Sequence, residues 1–120
     1  MVKSLICVFL GSALGGGCRY LLGIGLKKVS EGLIMPIPTL IVNMLGCFLI
    51  GIFYSVISKY TINDSWRLLL VVGFCGSFTT FSTFIYESNG LMTEHIGYAF
   101  GYMVLSVVLG LGALWVGMKW

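Results

Sequence analysis

Four long, nearly charge-free stretches, residues 4–26, 33–58, 68–86 and 96–118, take up most of the chain and leave only short polar segments between them. Each is close to or above the ~20 residues that a helix needs to cross a hydrocarbon core. In lipid the backbone must satisfy its own amides and carbonyls, so stretches of this length are read as membrane-spanning helices. Composition agrees: 58% of the residues are hydrophobic and only 9% charged, and the mean hydropathy is +1.04. The chain is expected to be an all-α membrane protein, residues 1–120 forming a single four-span domain. No signal peptide is expected, because the first apolar run is long enough to stay in the membrane and no cleavage site follows it.

The third stretch is the unusual one. Within GFCGSFTTFSTFIYE, residues 73–87, six small or hydroxylic residues fall in eight positions: Gly76, Ser77, Thr79, Thr80, Ser82 and Thr83. A broken helix at membrane depth persists where protein covers it or where it lines a polar cavity, and such breaks commonly carry ion sites. A continuous helix with close-packing small residues is the alternative. The break is expected over residues 76–80, about 12–18 Å along the span and close to the middle of a ~30 Å core.

Charge and cysteine use narrow the function classes. His95 is the one histidine, no paired carboxylates occur, and the span centres hold no acid, so a catalytic constellation is hard to assemble and no enzyme is expected. Cys7, Cys18, Cys47 and Cys75 lie far apart, without metal-ligand spacing, and read as small packing residues. No nucleic-acid partner is expected. With alternating spans, Lys3, Lys59, Arg67 and Lys119 share one side, against Lys27 and Lys28, with Arg19 near the same end. That is a weak bias for a rule that sets orientation by Lys/Arg asymmetry, so insertion in both directions is compatible with it.

The polar residues inside the spans are mostly hydroxyls and one amide. Asn43 lies about five residues beyond Pro38, which is in a favourable first-turn position, with Thr39 one turn before Asn43 on the same face. Asn43 can tie helices together or offer its donors to a ligand. Phe81 and Phe84 share a face, interleaved with Thr80, Ser82 and Thr83, and Tyr102 and Ser106 form a second stripe four residues apart. Glu87, near the end of span three, is interfacial or functional, and Arg19 is an interfacial anchor or an anion-attracting charge at a vestibule. The glycine pairs Gly11/Gly15, Ser12/Gly16 and Gly97/Gly101, together with Gly46 and Gly51, suit close helix packing. Asn63 or Asp64 suits a helix cap, and Trp66, Trp115 and Trp120 suit the membrane interface. Donors without fixed negative charge, beside the positive edges of aromatic rings, fit a small anion. Four helices are few to enclose such a path, so an oligomer is expected.

GGGCRY in span one, PTLIVNMLGCFLIG in span two and GFCGSFTTFSTF followed by Glu87 in span three together resemble the Fluc (CrcB) fluoride channels over the whole chain. The departures are Ser77, where many relatives have glycine, and Gly110, where some have a pore-lining serine. The resemblance implies a passive fluoride-selective channel that exports toxic cytoplasmic fluoride. It implies an antiparallel dual-topology dimer with two pores in a bacterial inner (plasma) membrane, the partner being a second copy or a paralogue. Asn43, Phe81, Phe84, Tyr102, Ser106, Thr39, Thr83 and Glu87 would lie on or beside the fluoride pathway, and Arg19 near a vestibule. A structural sodium ion at the dimer centre would be held by the backbone carbonyls of Gly76 and Thr79. The competing classes are a small proton-coupled multidrug exporter, for which a central membrane carboxylate would be expected, and a non-conducting assembly subunit.

Overall fold

The computed structural model describes residues 1–119; of Ser30 only the backbone is described. The interfacial role expected for Trp120 therefore lies outside the described residues. Helix α1 spans Val2–Ser30 and α2 spans Ile37–Tyr60. Span three follows as α3 (Asp64–Arg67), a π-helical stretch (Leu68–Cys75), α4 (Gly76–Phe78) and α5 (Phe81–Glu94), and α6 (Ile96–Met118) closes the chain. Four helical segments are long and apolar enough to cross a membrane, Val2–Val29, Ile37–Tyr60, Asp64–Glu94 and Ile96–Met118, and the chain is a multi-pass membrane protein.

The helix ends follow local chemistry. Pro38 sits in the first turn of α2, where a missing amide donor costs nothing. Asn63 caps span three by accepting from the Ser65 amide at 3.1 Å, while Asp64 pairs with the Arg67 Nε at 2.8 Å. Between them these residues hold the polar end of span three at the interface, beside the exposed Trp66.

Glycines decide which helices meet. A Cβ on Gly11 would strike the Leu69 carbonyl and come within 2.9 Å of the Phe74 amide, and one on Gly73 would meet the Val8 carbonyl at 2.8 Å. The backbones of α1 and span three thus touch directly, and Ser77 adds a tie by donating its Oγ to the Ser12 carbonyl at 2.8 Å. Gly46 packs on Thr79, and Gly51 meets Gly117 across the α2–α6 contact. The expectation for Gly97 and Gly101 differs from the structure: no atom lies within 4 Å of a Cβ on Gly97, and Gly101 meets only the end of Met35. Both face away from the bundle, and the α6 packing role falls to Gly117. Of the two alternatives in α1, Gly11/Gly15 is the buried pair, whereas Gly16 has open space around it.

The interruption of span three is narrower than the sequence indicates. Gly76 keeps right-handed helical geometry (φ −60°, ψ −35°), and helix continues to Phe78. Only Thr79 (φ −82°, ψ 160°) and Thr80 (φ −146°, ψ 117°) are extended. β-branched residues favour that conformation, so the threonines, not the glycine, make the break. It divides the span into 15 residues before (Asp64–Phe78) and 14 after (Phe81–Glu94), near its middle.

Candidate functional site

The break is held by Asn43. Its Oδ1 accepts from the Thr80 amide at 2.8 Å and its Nδ2 donates to the Thr80 carbonyl at 3.1 Å. Both ends of the side-chain amide are thus used on one backbone residue, in the way a neighbouring strand would use them, and one Nδ2 hydrogen is left over. Thr80 then starts α5 as its N-cap, its Oγ1 accepting from the Thr83 amide at 3.3 Å. Thr79 donates its Oγ1 back to the Cys75 carbonyl at 2.9 Å.

These substitutions have a consequence for two carbonyls. In a continuous helix the Thr80 amide would go to the Gly76 carbonyl and the Thr83 amide to the Thr79 carbonyl. Here both amides are turned to side chains instead, on Asn43 and Thr80. Gly76 is exposed on the outer surface of the chain, and a Cβ there would meet nothing nearer than 3.9 Å. Gly76 thus lies on the outward side of the break, whereas Thr79 is half-buried and packs against Gly46 of α2.

Two cavities flank the clasp. One, of about 320 Å³, is lined by Arg19 and Lys27 from α1, Thr39 from α2, and Thr80 and Thr83 from span three. The other, of about 300 Å³, is lined by Asn43 and Cys47 from α2, Phe81 and Phe84 from α5, and Ser106 from α6. Thr80 borders both. The Phe84 ring of the second cavity stands 5.2 Å from the Tyr102 ring and 6.0 Å from that of Phe81, while Glu87 lines a third cavity with Met35, Pro36 and Glu94. Both ring pairs are tilted, at 53° and 47°, rather than stacked.

Four polar atoms among the described residues are buried without a hydrogen-bond partner: Arg19 Nε, Glu87 Oε1, Tyr102 Oη and Ser106 Oγ. Leaving such a group unpaired costs about 1–3 kcal/mol, more for a charged one. Arg19 and Ser106 line the two cavities, Glu87 lines the third, and Tyr102 is fully buried. Three of the atoms are donors, on Arg19, Tyr102 and Ser106, and the Glu87 oxygen is an acceptor; unused donors suit a polar guest that passes or binds there.

The structure brings Asn43, Phe81, Phe84 and Ser106 to one cavity and Arg19, Thr39 and Thr83 to the other; Tyr102 packs on Phe84, and Glu87 lines a separate cavity with Met35 and Glu94. Thr80 and Cys47 were not singled out from the sequence as site residues. Cys47 carried a readable signal, standing one helical turn after Asn43 on the same face. Thr80 was legible as one of the hydroxylic residues of the break, but not as the partner of Asn43, which lies 37 residues away.

Residues 6–118 match the family model for "CrcB-like protein, Camphor Resistance (CrcB)". The chain belongs to the CrcB family. It is 44% identical to a protein of Phocaeicola vulgatus over 98% of this chain and 97% of that one. Likewise it is 43% identical to a Leptospira interrogans protein, over 97% and 92% of the two chains, and 43% identical to one from Chloroflexus aurantiacus, over 98% and 94%. All three of these CrcB relatives carry the name "Fluoride-specific ion channel FluC", an ion channel and not an enzyme.

Proposed function

We propose that this CrcB-family chain is a passive fluoride channel of a bacterial inner membrane, working as an antiparallel pair of copies with two pores. The observation that carries the reading is the set of three unpartnered buried donors, Arg19 Nε, Tyr102 Oη and Ser106 Oγ, together with the tilted phenylalanine rings. Fluoride holds its water strongly, so a path for it must supply donors and positive ring edges in place of that water. Arg19 and Lys27 in the first cavity draw an anion inward. Thr39, Thr83 and the Tyr102 hydroxyl then offer neutral donors, and Glu87 lies beside the pathway. Phe81, Phe84, Ser106 and the remaining Nδ2 hydrogen of Asn43 meet the ion on the other side. The relatives' names and their bacterial sources support this assignment.

The exposed break supports the pairing. Phe81 is 74% exposed in the single chain and Gly76 and Ser82 are also open, a polar opening at mid-span that lipid would not satisfy. Two antiparallel copies place break against break. A sodium ion fits there: a hard cation takes oxygen ligands, and the Gly76 and Thr79 carbonyls have lost their helical amides to Asn43 and Thr80. Bound, it would supply positive charge and cross-link the two breaks.

Purified chain reconstituted in phospholipid vesicles loaded with potassium fluoride tests the function. The expected result is rapid fluoride efflux when a potassium ionophore carries the counter-charge, with no proton gradient. Transport of an organic cation in exchange for protons, with no fluoride efflux, would instead identify an exporter; neither activity would identify an assembly subunit.

A further inference from the structure

An apolar groove of about 600 Å³ runs between α1 and α2, away from the cavities described above. Leu22, Gly25 and Leu26 of α1 and Phe48 of α2 line it, together with the stacked rings of Phe74 and Phe78, whose centroids are 5.5 Å apart. None of the described residues that line it is charged or carries a hydroxyl or an amide. Phe78 is buried, whereas Gly25 is exposed and has no atom within 4 Å of a Cβ placed on it, so the rings floor a groove that opens outward at Gly25. Phe78 is the last helical residue before the break, which fixes the inner end of the groove near mid-span. On α1 the lining runs from Cys18 to Leu26, about 12 Å of helix, and Lys28 follows Gly25 by three residues on the same stripe. The groove with Lys28 therefore covers about 15 Å, half of a ~30 Å hydrocarbon core and the depth of one leaflet. Its side of the molecule is equally defined. Gly76 and Phe78 lie about 200° apart around a helix, so the groove is on the face of span three opposite the exposed Gly76. A second copy seated on the break leaves the groove to lipid.

We propose that this groove binds an anionic phospholipid, with one acyl chain lying on the Phe74–Phe78 floor and the headgroup phosphate held by Lys28. An acyl chain has no polar group to satisfy, and it gains dispersion contacts along a lining that offers no hydrogen bonds. Lys28 is exposed in the last turn of α1, where its apolar stem can follow the helix and its ammonium can stay at headgroup level. Lys27 stands beside it, turned to the Arg19 cavity, and Glu31 just past the helix is the nearest acid in the sequence. Basic residues flanking a span attract anionic headgroups, which gives the site its preference. The site depends on the spans lying in a membrane and not on which ion the channel conducts.

Native mass spectrometry of the full chain in detergent, titrated with dioleoyl phosphatidylglycerol or dioleoyl phosphatidylcholine, tests the site. The expected result is at least one phosphatidylglycerol retained per chain, bound about fivefold more tightly than phosphatidylcholine. Gly25→Trp, which fills the open groove, should retain one lipid fewer than the parent. Gly25→Leu provides a milder filling should the tryptophan fold poorly. Lys28→Gln should lose the preference for phosphatidylglycerol. Gly97→Trp, equally open but outside the groove, should retain as many lipids as the parent. An unchanged lipid count in both Gly25 variants would overturn the site, as would an equal loss in Gly97→Trp. Equal retention of the two lipids by the parent and by Lys28→Gln would overturn the headgroup assignment. Loss of pairing between copies in the Gly25 variants, with the lipid count kept, would make the groove a contact between chains and overturn the lipid occupant.

Discussion

Asn43 shows how one side chain can replace a missing stretch of secondary structure. Its Oδ1 takes the Thr80 amide that a continuous helix would have paired, and its Nδ2 adds a second bond to the Thr80 carbonyl. Asn43→Ala would leave the Thr80 amide and carbonyl without those partners in a dry interior, a loss of about 1–3 kcal/mol. The expected outcome is a lower unfolding temperature in detergent together with a fall in fluoride efflux; unchanged stability would show that Thr80 finds other partners. The sequence exposed Asn43 as a polar residue inside a span, with glue and ligand contact as its two readings. Which of these applies could not be read from spacing, because the answer lies in a partner on another helix. The same holds for Ser77. The sequence marked it only as a departure from glycine within the break, and its hydroxyl joins span three to the Ser12 carbonyl of α1.

At the scale of elements, the four spans were legible because a charge-free run of that length has few other stable solutions in lipid. The break was legible from its hydroxylic residues, but its position was not, since glycine and threonine both lie in the stretch and only φ and ψ separate their roles. The π-helical turns over Leu68–Cys75 left no trace in a run of leucines and valines that suits α-helix as well. Glycine packing was half legible: spacing gives a face, and only the neighbouring backbone shows which face is covered. That difference can be measured with a single methyl group. Gly11→Ala or Gly73→Ala drives a Cβ into backbone that cannot move aside and should cost about 1–3 kcal/mol. Gly25→Ala, with open space around it, should be neutral or stabilise by up to about 1 kcal/mol through helix propensity. Unfolding of the variants in one detergent checks the ranking, and equal losses at all three positions would refute the packing account.

For the whole molecule, near-balance of lysine and arginine at the two ends leaves orientation weakly specified, four on one side against two or three. Adding two or three lysines to the loop after α1 should lock one orientation, and fluoride efflux should vanish until an oppositely biased copy is supplied. Full efflux from a population verified to face one way would exclude the antiparallel pair. Reconstitution with a large organic cation in place of sodium should lower the flux if Gly76 and Thr79 hold the ion; an unchanged flux after verified sodium removal would refute that role. The outward-facing break has one more consequence. If its carbonyls are satisfied only across a contact with another copy, folding is linked to the number of copies per area of membrane. A cell making few of these chains would then hold proportionally fewer intact ones, since each solitary molecule exposes mid-bilayer backbone and becomes a substrate for membrane proteases. Dosage, as much as sequence, would set how much of the protein survives.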